Sequence, residues 1–533
     1  MWKYSRPILF LLPLVATVLL LAGCYKDLGN YDYKEINTIE LGKFGNNLKV
    51  YQYDTLTLEL PLSATLDSSV LLEEGRFSYR WIAIAGSAEY QLDTNRVLHN
   101  RVNIPTGNYT LLFRMWDLKT GNVYSKRSGA NAFVVVSGTY EGWLVFSEVQ
   151  GRARLDMVNF VSGEAPTYAR DILSQSSIIP KNLTGARDIC YTFTGPTRNL
   201  VPGPGHDSTA SSAADAEWIY VATDQGSWKL RNDNLTTKWQ WSVHREYIQQ
   251  DSASFRPAFF GNGKGTGANA AYLYLFDGKG NFYERIGNDY YETAKMINVV
   301  QGESKPFKAA PFFCRTQNSA SSAFAILFDA EKKRFLKYGA AAGGCISLPT
   351  DAATNPLFNF NNVQKDLVWM KTTGYNTLTY AVLRGADGAT WLATFNLTNA
   401  NTQDKYVQLT GTDIDKATLF TVDKIYGTLF YAVGGKVYAT HKDYPNESFV
   451  VLDKGSEVIT YLDQHIFAKA AYYKTEPSHV SMHVMVGSYN EGRGNGTLEG
   501  YATTDYVNSH AAFTKYTTYT GFGKIKALSY RER

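Results

Sequence analysis

Cysteine is scarce in this sequence, with four residues among 533. One of them, Cys24, follows an apolar segment near the N-terminus, which leaves Cys190, Cys314 and Cys345. Such an odd and sparse set excludes a disulfide framework as the basis of the fold. Two alternatives stay open for Cys314 and Cys345, namely one disulfide in an oxidising compartment or two buried free thiols.

The sequence also lacks a strong excess of one charge and lacks long apolar runs beyond the N-terminal segment. Lys and Arg total 53 against 49 Asp and Glu, which gives a net charge of +4, and no basic run is present. This balance does not support nucleic-acid binding. After the apolar segment at 8–22, no second apolar run is long enough to span a bilayer. We therefore expect no nucleic-acid partner and no membrane-spanning helix.

Motifs for catalysis and metal binding are missing as well. The sequence has neither the H-E-x-x-H pattern of zinc peptidases nor the G-x-S-x-G turn of serine hydrolases. The glycine-rich segment at 261–267 lacks the adjacent Lys and Thr of a phosphate-binding loop. His479 and His483 lie in an alternating stretch that predicts a strand, so the pair does not indicate a metal site. We predict no catalytic residues, no metal ligands and no cofactor.

Aromatic residues, by contrast, are abundant. They make up 14% of the chain, with 37 Tyr, 28 Phe and 10 Trp, while charged residues reach only 19%. Aromatic side chains pack well on pleated sheets, so this composition favours an all-β protein. Tyr and Trp also offer rigid contact area with a polar tip, which suits a binding surface.

The N-terminus begins with Lys3 and Arg6, which precede an apolar run from Ile8 to Ala22. The run is 15 residues long, shorter than the ~20 that a helix needs to cross a bilayer. A charged start, a short apolar core and small residues before a cleavage site are typical of a secretory signal. We assign residues 1–23 to a signal peptide, and an uncleaved anchor helix is the alternative.

The motif Leu21-Ala22-Gly23-Cys24 closes this segment and resembles the lipobox of bacterial lipoproteins. The resemblance implies cleavage before Cys24 and attachment of acyl chains, such as palmitate, at that residue. Two or three chains give stable anchoring, because each buried CH₂ contributes about 0.8 kcal/mol. Residues 24–36 are polar and contain Gly and Asn, so they form a predicted tether between the lipid and the first domain.

Residues 37–137 contain short strand-like segments separated by turn residues. About 100 residues with this rhythm predict an immunoglobulin-like β-sandwich. Phe77, Tyr79 and Trp81 alternate along one segment, which makes Trp81 the predicted core tryptophan. The predicted strands are Thr55–Leu60, Arg76–Ala85, Tyr109–Asp117 and Ala132–Val136.

Residues 138–533 form a loose repeat of apolar hairpins. Three similar hairpins start at 272, 323 and 380, so they are spaced by 51 and 57 residues. One hairpin in every 50-odd residues, with further strands between, is the rhythm of four-stranded propeller blades. We predict a β-propeller of about seven blades, and two stacked β-sandwiches are the alternative.

One aromatic segment of the repeat region is a candidate binding site. Trp239-Gln240-Trp241 places two indoles on one face of a predicted strand, and Arg245 follows. Two interpretations remain open. The indoles pack between blades, or Trp239, Trp241 and Arg245 form an exposed platform for sugar rings or peptide side chains.

Four features of the mature chain point to one family, namely the lipobox, Gly29-Asn30-Tyr31-Asp32-Tyr33, the strand around Tyr109 and Gly142-Trp143-Leu144-Val145. Through them the mature chain resembles the PKD-like lipoproteins of Bacteroidota. That resemblance implies an outer-membrane lipoprotein facing the cell exterior, with a TonB-dependent SusC-type porter and a SusD-type lipoprotein as partners. It supplies no catalytic residues.

The predicted function is therefore a non-catalytic binding or assembly subunit that captures an oligosaccharide or oligopeptide for such a transporter. Two alternatives come from other classes. A secreted propeller hydrolase, either a glycosidase or a peptidase, could use carboxylates such as Asp423, Glu457 and Asp463, although sequence spacing does not show their separation. A structural adhesin is the other alternative.

Overall fold

A computed structural model describes the chain from residue 35 to residue 532, and the chain divides into two units, Met1–Val136 and Ser137–Arg533. Cys24, the predicted signal peptide and nearly all of the tether therefore lie outside the described residues. The further gaps in the description are residues 46–47, 53, 137–140, 161–164, 194–216, 233, 246–256, 261–271, 287–295, 316–323, 340–342, 350–355, 374–377, 397–401, 468–471, 473, 475, 477, 504 and 506–508.

The first unit is a β-sandwich, as predicted. Its strands are β1 (Ile39–Leu41), β2 (Leu48–Tyr51), β3 (Thr55–Leu58), β4 (Leu62–Ala64), β5 (Phe77–Ala85), β6 (Ala88–Asp93), β7 (Leu98–Arg101), β8 (Gly107–Asp117), β9 (Val123–Arg127) and β10 (Phe133–Val136). The main sheet has the order β2-β10-β8-β5-β6, and β9 also pairs with β8. The pairs β1–β4 and β3–β7 form two small sheets that complete the sandwich.

Trp81 lies at the centre of this sandwich, as the alternation predicted. Its side chain is fully buried, and its ring centroid is 4.6 Å from that of Phe113. The indole Nε1 donates a hydrogen bond to the carbonyl of Asn95 (2.9 Å), so its polar atom is satisfied. Tyr109 closes the other end of the core by donating from its hydroxyl to the Pro105 carbonyl (2.6 Å).

The second unit is a β-propeller with seven antiparallel sheets in the part of the chain that the structure describes. Its first strands are β11 (Glu141–Val149), β12 (Arg152–Phe160), β13 (Thr167–Ala169), β14 (Asp188–Phe193), β15 (Glu217–Ala222), β16 (Ser227–Arg231), β17 (Ala258–Phe260), β18 (Tyr272–Phe276), β19 (Phe282–Ile286), β20 (Cys314–Arg315), β21 (Phe324–Asp329), β22 (Arg334–Gly339) and β23 (Gly344–Ser347). The remaining strands are β24 (Asp366–Thr372), β25 (Leu378–Arg384), β26 (Thr390–Asn396), β27 (Thr402–Leu409), β28 (Leu419–Val422), β29 (Leu429–Val433), β30 (Lys436–His441), β31 (Tyr444–Asp453), β32 (Val458–Gln464), β33 (Val484–Asn490), β34 (Asn495–Ala502), β35 (Thr514–Phe522) and β36 (Lys524–Arg531).

Six of the seven blades are built from consecutive strands, and one is not. The consecutive blades are β14–β16, β17–β19, β20–β23, β24–β27, β28–β31 and β32–β35. The first blade has the order β13-β12-β11-β36, so the last strand of the chain supplies its innermost position. This pairing closes the ring between its first and last blades and leaves β11 without an open edge.

Each blade buries both of its faces, because its side chains alternate between two apolar clusters. In β15, Ile219 packs toward the first blade, while Tyr220 packs toward the third. Seven such clusters fill the seven spaces between neighbouring blades, including the space between the last blade and the first. Strands buried on both faces are apolar almost throughout, which explains runs such as 273–276 in β18.

The three cysteines of the described chain are free thiols. Cys314 and Cys345 are buried in two different interblade clusters, so the alternative of buried free thiols is the one that the structure contains. Burial raises the pKa of Cys314 to about 12 and raises that of Cys345 further, so both thiols are protonated at neutral pH.

Helical structure is limited to short 3₁₀ segments in the described residues, and none is long and apolar enough to cross a membrane. The predicted strand across His479 and His483 is wrong, because the segment between them is a 3₁₀ helix and β33 begins only at Val484. The 3₁₀ helices are Ser68–Leu72, Ile172–Gln175, Trp239–Trp241, Val243–Arg245, Ile414–Lys416 and Val480–Met482.

Candidate functional site in the central cavity of the propeller

The innermost strands of the seven blades surround a cavity of about 550 Å³. These strands are β14, β17, β20, β24, β28, β32 and β36, and residues on or next to every one of them line it. Exposed side chains of Arg187, Thr418 and Lys526 stand at or near the first residues of three of the strands. The cavity therefore opens at the end of the ring where the inner strands begin.

Aromatic side chains form much of the cavity wall. Phe260, Phe312, Phe313 and Trp369 line it and remain half-buried, so part of each ring faces the open space. Phe260 and Phe313 lie with ring centroids 6.3 Å apart, and Trp369 packs on Phe420 at 6.1 Å. The wall therefore combines aromatic surface with polar and charged side chains, and a cavity of this size with both kinds of group is suited to ligand binding.

An ion pair occupies one side of the cavity. The Lys371 ammonium contacts the Asp463 carboxylate and donates to the Gln464 carbonyl (2.7 Å). Thr421 adds a hydroxyl donor to the same carboxylate (3.1 Å). This pair links β24, β28 and β32, and both of its charges are satisfied within the protein.

Asp188 is the second carboxylate of the cavity, and its surroundings differ. Its Oδ2 accepts the backbone N–H of Phe259 (2.6 Å), and its Oδ1 accepts that of Ile189 (2.8 Å). Within the described residues, Asp188 forms no ion pair. Burial raises the pKa of Asp188 to about 7, and the two backbone donors offset this only in part.

Two further titratable groups face the cavity and are held neutral. Burial first, and then the negative charges of Asp463 and Asp188, raise the pKa of Tyr461 well above its usual value. Burial, followed by repulsion from Lys371 and Lys424, lowers the pKa of His465 to about 3. Tyr461 and His465 are therefore uncharged at neutral pH, although both lie close to charged residues of the cavity wall.

The predicted platform of Trp239, Trp241 and Arg245 is not what the structure contains. Trp239–Trp241 is a 3₁₀ helix rather than a strand. Trp239 is 55% exposed, whereas Trp241 is 2% exposed and packs edge-on against Trp218 with ring centroids 4.9 Å apart. Trp241 is thus an interblade packing residue, and the two indoles do not share a face.

The third member of that platform, Arg245, ends the next 3₁₀ helix, Val243–Arg245, and its side chain lies outside the described structure. The W-Q-W pattern predicts a strand because alternation is the strand signal. Short 3₁₀ turns have no periodic signature of comparable length, so the sequence did not distinguish the two.

The carboxylates considered for a hydrolase do not converge. Asp463 lines the cavity, but Asp423 is buried elsewhere, where it accepts the backbone N–H of Ile425 (2.7 Å). Glu457 directly precedes β32 and is not among the residues that line the cavity, and it accepts a hydrogen bond from the hydroxyl of Ser488 (2.7 Å). Among the described residues, no group of three or more His, Cys, Asp and Glu side chains is placed to hold a metal ion.

Comparison with known proteins identifies the first domain. The sequence profile of the PKD-like family matches residues 24–184. The N-terminal domain is PKD-like. The match runs through the PKD-like sandwich and continues across β11, β12 and β13 of the propeller. No curated protein sequence matches the chain.

Three of the solved structures that match this chain are distant from it in sequence. A quinonprotein alcohol dehydrogenase-like protein from Bacteroides thetaiotaomicron is 10% identical, with 94% of this chain and 100% of that chain covered and a TM-score of 0.43. A DUF4784 family protein from Bacteroides caccae is 7% identical, with 93% and 100% covered and a TM-score of 0.26. The WD40 domain of SCAP from fission yeast is 7% identical, with 73% and 76% covered and a TM-score of 0.23. The propeller assignment accordingly depends on the blades and strand order of this chain.

Proposed function

We propose that this protein is a lipid-anchored surface subunit that captures an oligomeric nutrient without catalysis, for a TonB-dependent SusC-type porter and its SusD-type partner. The anchor is Cys24, and the outer membrane is the expected location, with the protein facing the cell exterior. The lipobox-like motif before Cys24 and the polar tether that follows support this placement. The nutrient is an oligopeptide or an oligosaccharide.

The observation that carries the proposal is the aromatic-lined central cavity. Its volume of about 550 Å³ lies within the range of ~300–1,000 Å³ that small-ligand sites occupy. Its partly exposed rings, such as Phe312 and Trp369, offer stacking surface for sugar rings or apolar side chains. A tethered receptor of this kind works at modest affinity, because anchoring beside a porter raises the effective concentration of captured ligand.

The chemistry of the cavity favours binding over turnover. General acid–base catalysis needs a group whose pKa lies near the working pH and which reaches the substrate. Asp463 is held by Lys371 and Thr421, and His465 is neutral across the physiological range. Asp188 has a pKa near neutrality. The other described carboxylates that line the cavity are Asp463, which Lys371 holds, and Glu532, which is fully buried, so neither is presented to a substrate as the second acid of a sugar hydrolase.

Affinity purification from detergent-solubilised outer membranes tests the assembly. The tagged wild-type protein should retain a large porter of the SusC type and a lipoprotein of the SusD type, identified by mass spectrometry. The Cys24→Ala variant should lose both, since it no longer stays at the membrane. Recovery of wild-type protein alone from intact membranes would contradict the proposed assembly.

A cavity-filling variant tests the binding site. Thr460 is half-buried on the cavity wall, so Thr460→Trp should fill part of the space and abolish oligomer binding. Thr402→Trp introduces the same side chain at an exposed position on the outermost strand β27 and should bind as the wild type does. If both variants bind the ligand equally well, the cavity is not the binding site.

A further inference from the structure

Among the described residues of the cavity wall, the Asp188 carboxylate has backbone donors but no ion-pair partner. Building on the proposed function, we infer that Asp188 binds a primary ammonium group of the captured oligomer, so the ligand is a basic peptide or an oligomer of amino sugars. The argument rests on the surroundings of Asp188, on the aromatic wall beside it and on the contrast with the Lys371–Asp463 pair.

The hydrogen bonds of Asp188 leave room for a ligand. A carboxylate has about four acceptor positions, and the backbone donors of Phe259 and Ile189 occupy two of them. The same donors fix the orientation of the group against β14 and β17. A carboxylate that is partly withdrawn from water and has no cation beside it is costly, whereas an ammonium donor satisfies both its charge and its remaining lone pairs.

The nearby cations are already committed to other partners. Arg187, the preceding residue, pairs through its Nε with Asp224 (2.7 Å). Lys526, on the same side of the cavity, lies 3.5 Å from Glu148. Lys371 is bound to Asp463. Among the described residues, each of these three cations therefore pairs with another carboxylate. A cationic ligand that binds Asp188 would not have to displace any of them.

The wall beside Asp188 also suits a cation. Phe260 follows the residue whose N–H holds the carboxylate, and its partly exposed ring lines the same cavity together with Phe312 and Phe313. Aromatic faces attract ammonium groups through their quadrupole, more strongly when water is excluded. A neutral hydroxyl would leave the charge of Asp188 uncompensated, and an anionic ligand group would be repelled by it.

Two kinds of oligomer carry this chemistry, and matched probes separate them. Trilysine and its fully N-acetylated form represent the peptide. The β-1,4-linked trimer of glucosamine and the corresponding trimer of N-acetylglucosamine represent the amino sugar. In each pair, acetylation removes the ammonium and retains the rest of the chain, so the comparison isolates the contribution of the charge.

Isothermal titration of the full-length purified protein with these four probes is the test. One amine form should bind at least about tenfold more tightly than its acetylated partner, which is the range expected for a charge-assisted hydrogen bond. Asp188→Asn should abolish this preference. Asp453→Asn, which alters an exposed carboxylate at the end of the outermost strand β31, should preserve it.

Two outcomes would overturn the inference while leaving nutrient capture intact. Equal or tighter binding of the acetylated probes by the wild-type protein is one, and it needs no variant to fold. Retention of the amine preference by a folded Asp188→Asn variant is the other. The capture proposal fails on different results. The porter would be absent when the wild-type protein is purified from membranes, or Thr460→Trp would bind the ligand as well as the wild type does.

Discussion

Trp143 and Tyr530 meet edge to face, with ring centroids 4.8 Å apart and an interplanar angle of 84°. Trp143 lies in β11, the first strand of the propeller, and Tyr530 lies in β36, the last. The Tyr530 hydroxyl donates to Glu141 (2.9 Å), whose other oxygen accepts the hydroxyl of Tyr472 (2.8 Å). One contact between fully buried rings thus joins the two ends of the ring of blades.

Trp143→Ala should destabilise the propeller by about 3–5 kcal/mol, because it removes a fully buried indole and leaves a cavity at the closure. Tyr530→Phe retains the ring and removes one hydrogen bond to a carboxylate, so we expect a loss of about 1–3 kcal/mol. Denaturant unfolding followed by tryptophan fluorescence and circular dichroism measures both. A smaller loss for Trp143→Ala than for Tyr530→Phe would show that the closure contact contributes little.

The two tryptophans of the Trp239–Trp241 turn should respond differently to truncation. Trp241→Ala should lower the free energy of unfolding by about 3–5 kcal/mol, since the indole is buried against Trp218. Trp239→Ala should change it by less than about 0.5 kcal/mol, because most of that side chain is exposed. Thermal and denaturant unfolding of the two variants gives the comparison, and equal losses would contradict the packing assignment.

The stability of the protein should depend on the protonation of Asp188. Its pKa rises from 3.8 to about 7 on folding, so the folded state binds this proton more tightly than the unfolded state. The resulting stabilisation is complete below pH 3.8 and is lost as the pH rises through 7. We expect a contribution of about 1–3 kcal/mol, because water in the cavity screens the charge.

His465 acts in the opposite direction over the same pH range. Its pKa falls from 6.5 to about 3 on folding, so its contribution to stability is present above 6.5 and is lost as the pH falls toward 3. Comparison of the wild type with Asp188→Asn isolates the contribution of Asp188, because His465 is present in both proteins. The stability of the wild type relative to this variant should decrease between about pH 4 and about pH 7, and a constant difference would show that Asp188 titrates normally.

Cys24 should carry the lipid of the mature protein. Mass spectrometry of the wild-type protein should detect an acylated N-terminal Cys24 and no residues of the signal segment. Cys24→Ala should remain unprocessed or appear in the soluble fraction, because the acyl chains supply the membrane affinity. Cys190→Ala, which removes another cysteine, should be processed normally. An intact signal without lipid in the wild type would contradict the prediction.

The buried thiols should resist modification in the folded protein. Burial raises the pKa of Cys314 to about 12 and that of Cys345 still higher, so the reactive thiolate is rare at pH 8. Iodoacetamide should label neither residue in native buffer and both in denaturant, as measured by peptide mass spectrometry. Labelling under non-reducing denaturing conditions also tests pairing, since a disulfide between them would block both.

The fold was largely predictable because it repeats. The hairpins that start near 272, 323 and 380 are the second and third strands of three successive blades. Their spacing indicated the blade size, and alternation around Trp81 indicated the sandwich core. The hairpin spacing and the alternation both depend on buried side chains in the strands. They therefore remain recognisable in the sequence even where the loops differ in length.

The cavity was not predictable in the same way. Asp188, Lys371 and Asp463 lie on three inner strands that are far apart in sequence, and only closure of the ring brings them to one space. The sequence offers Asp463 as a candidate acid, but nothing near it in the sequence indicates Lys371 as its partner. The exposed side of an inner strand carries too few residues to give a periodic pattern, so local signals miss it.

Completion of the first blade by β36 has a consequence for biogenesis. During synthesis, β11 is made several hundred residues before its partner, and its backbone edge stays unpaired until Lys524–Arg531 have been added. Open edges of this kind recruit other strands and promote aggregation. Shielding of the β11 edge until the C-terminal strand has been made would therefore favour folding over aggregation.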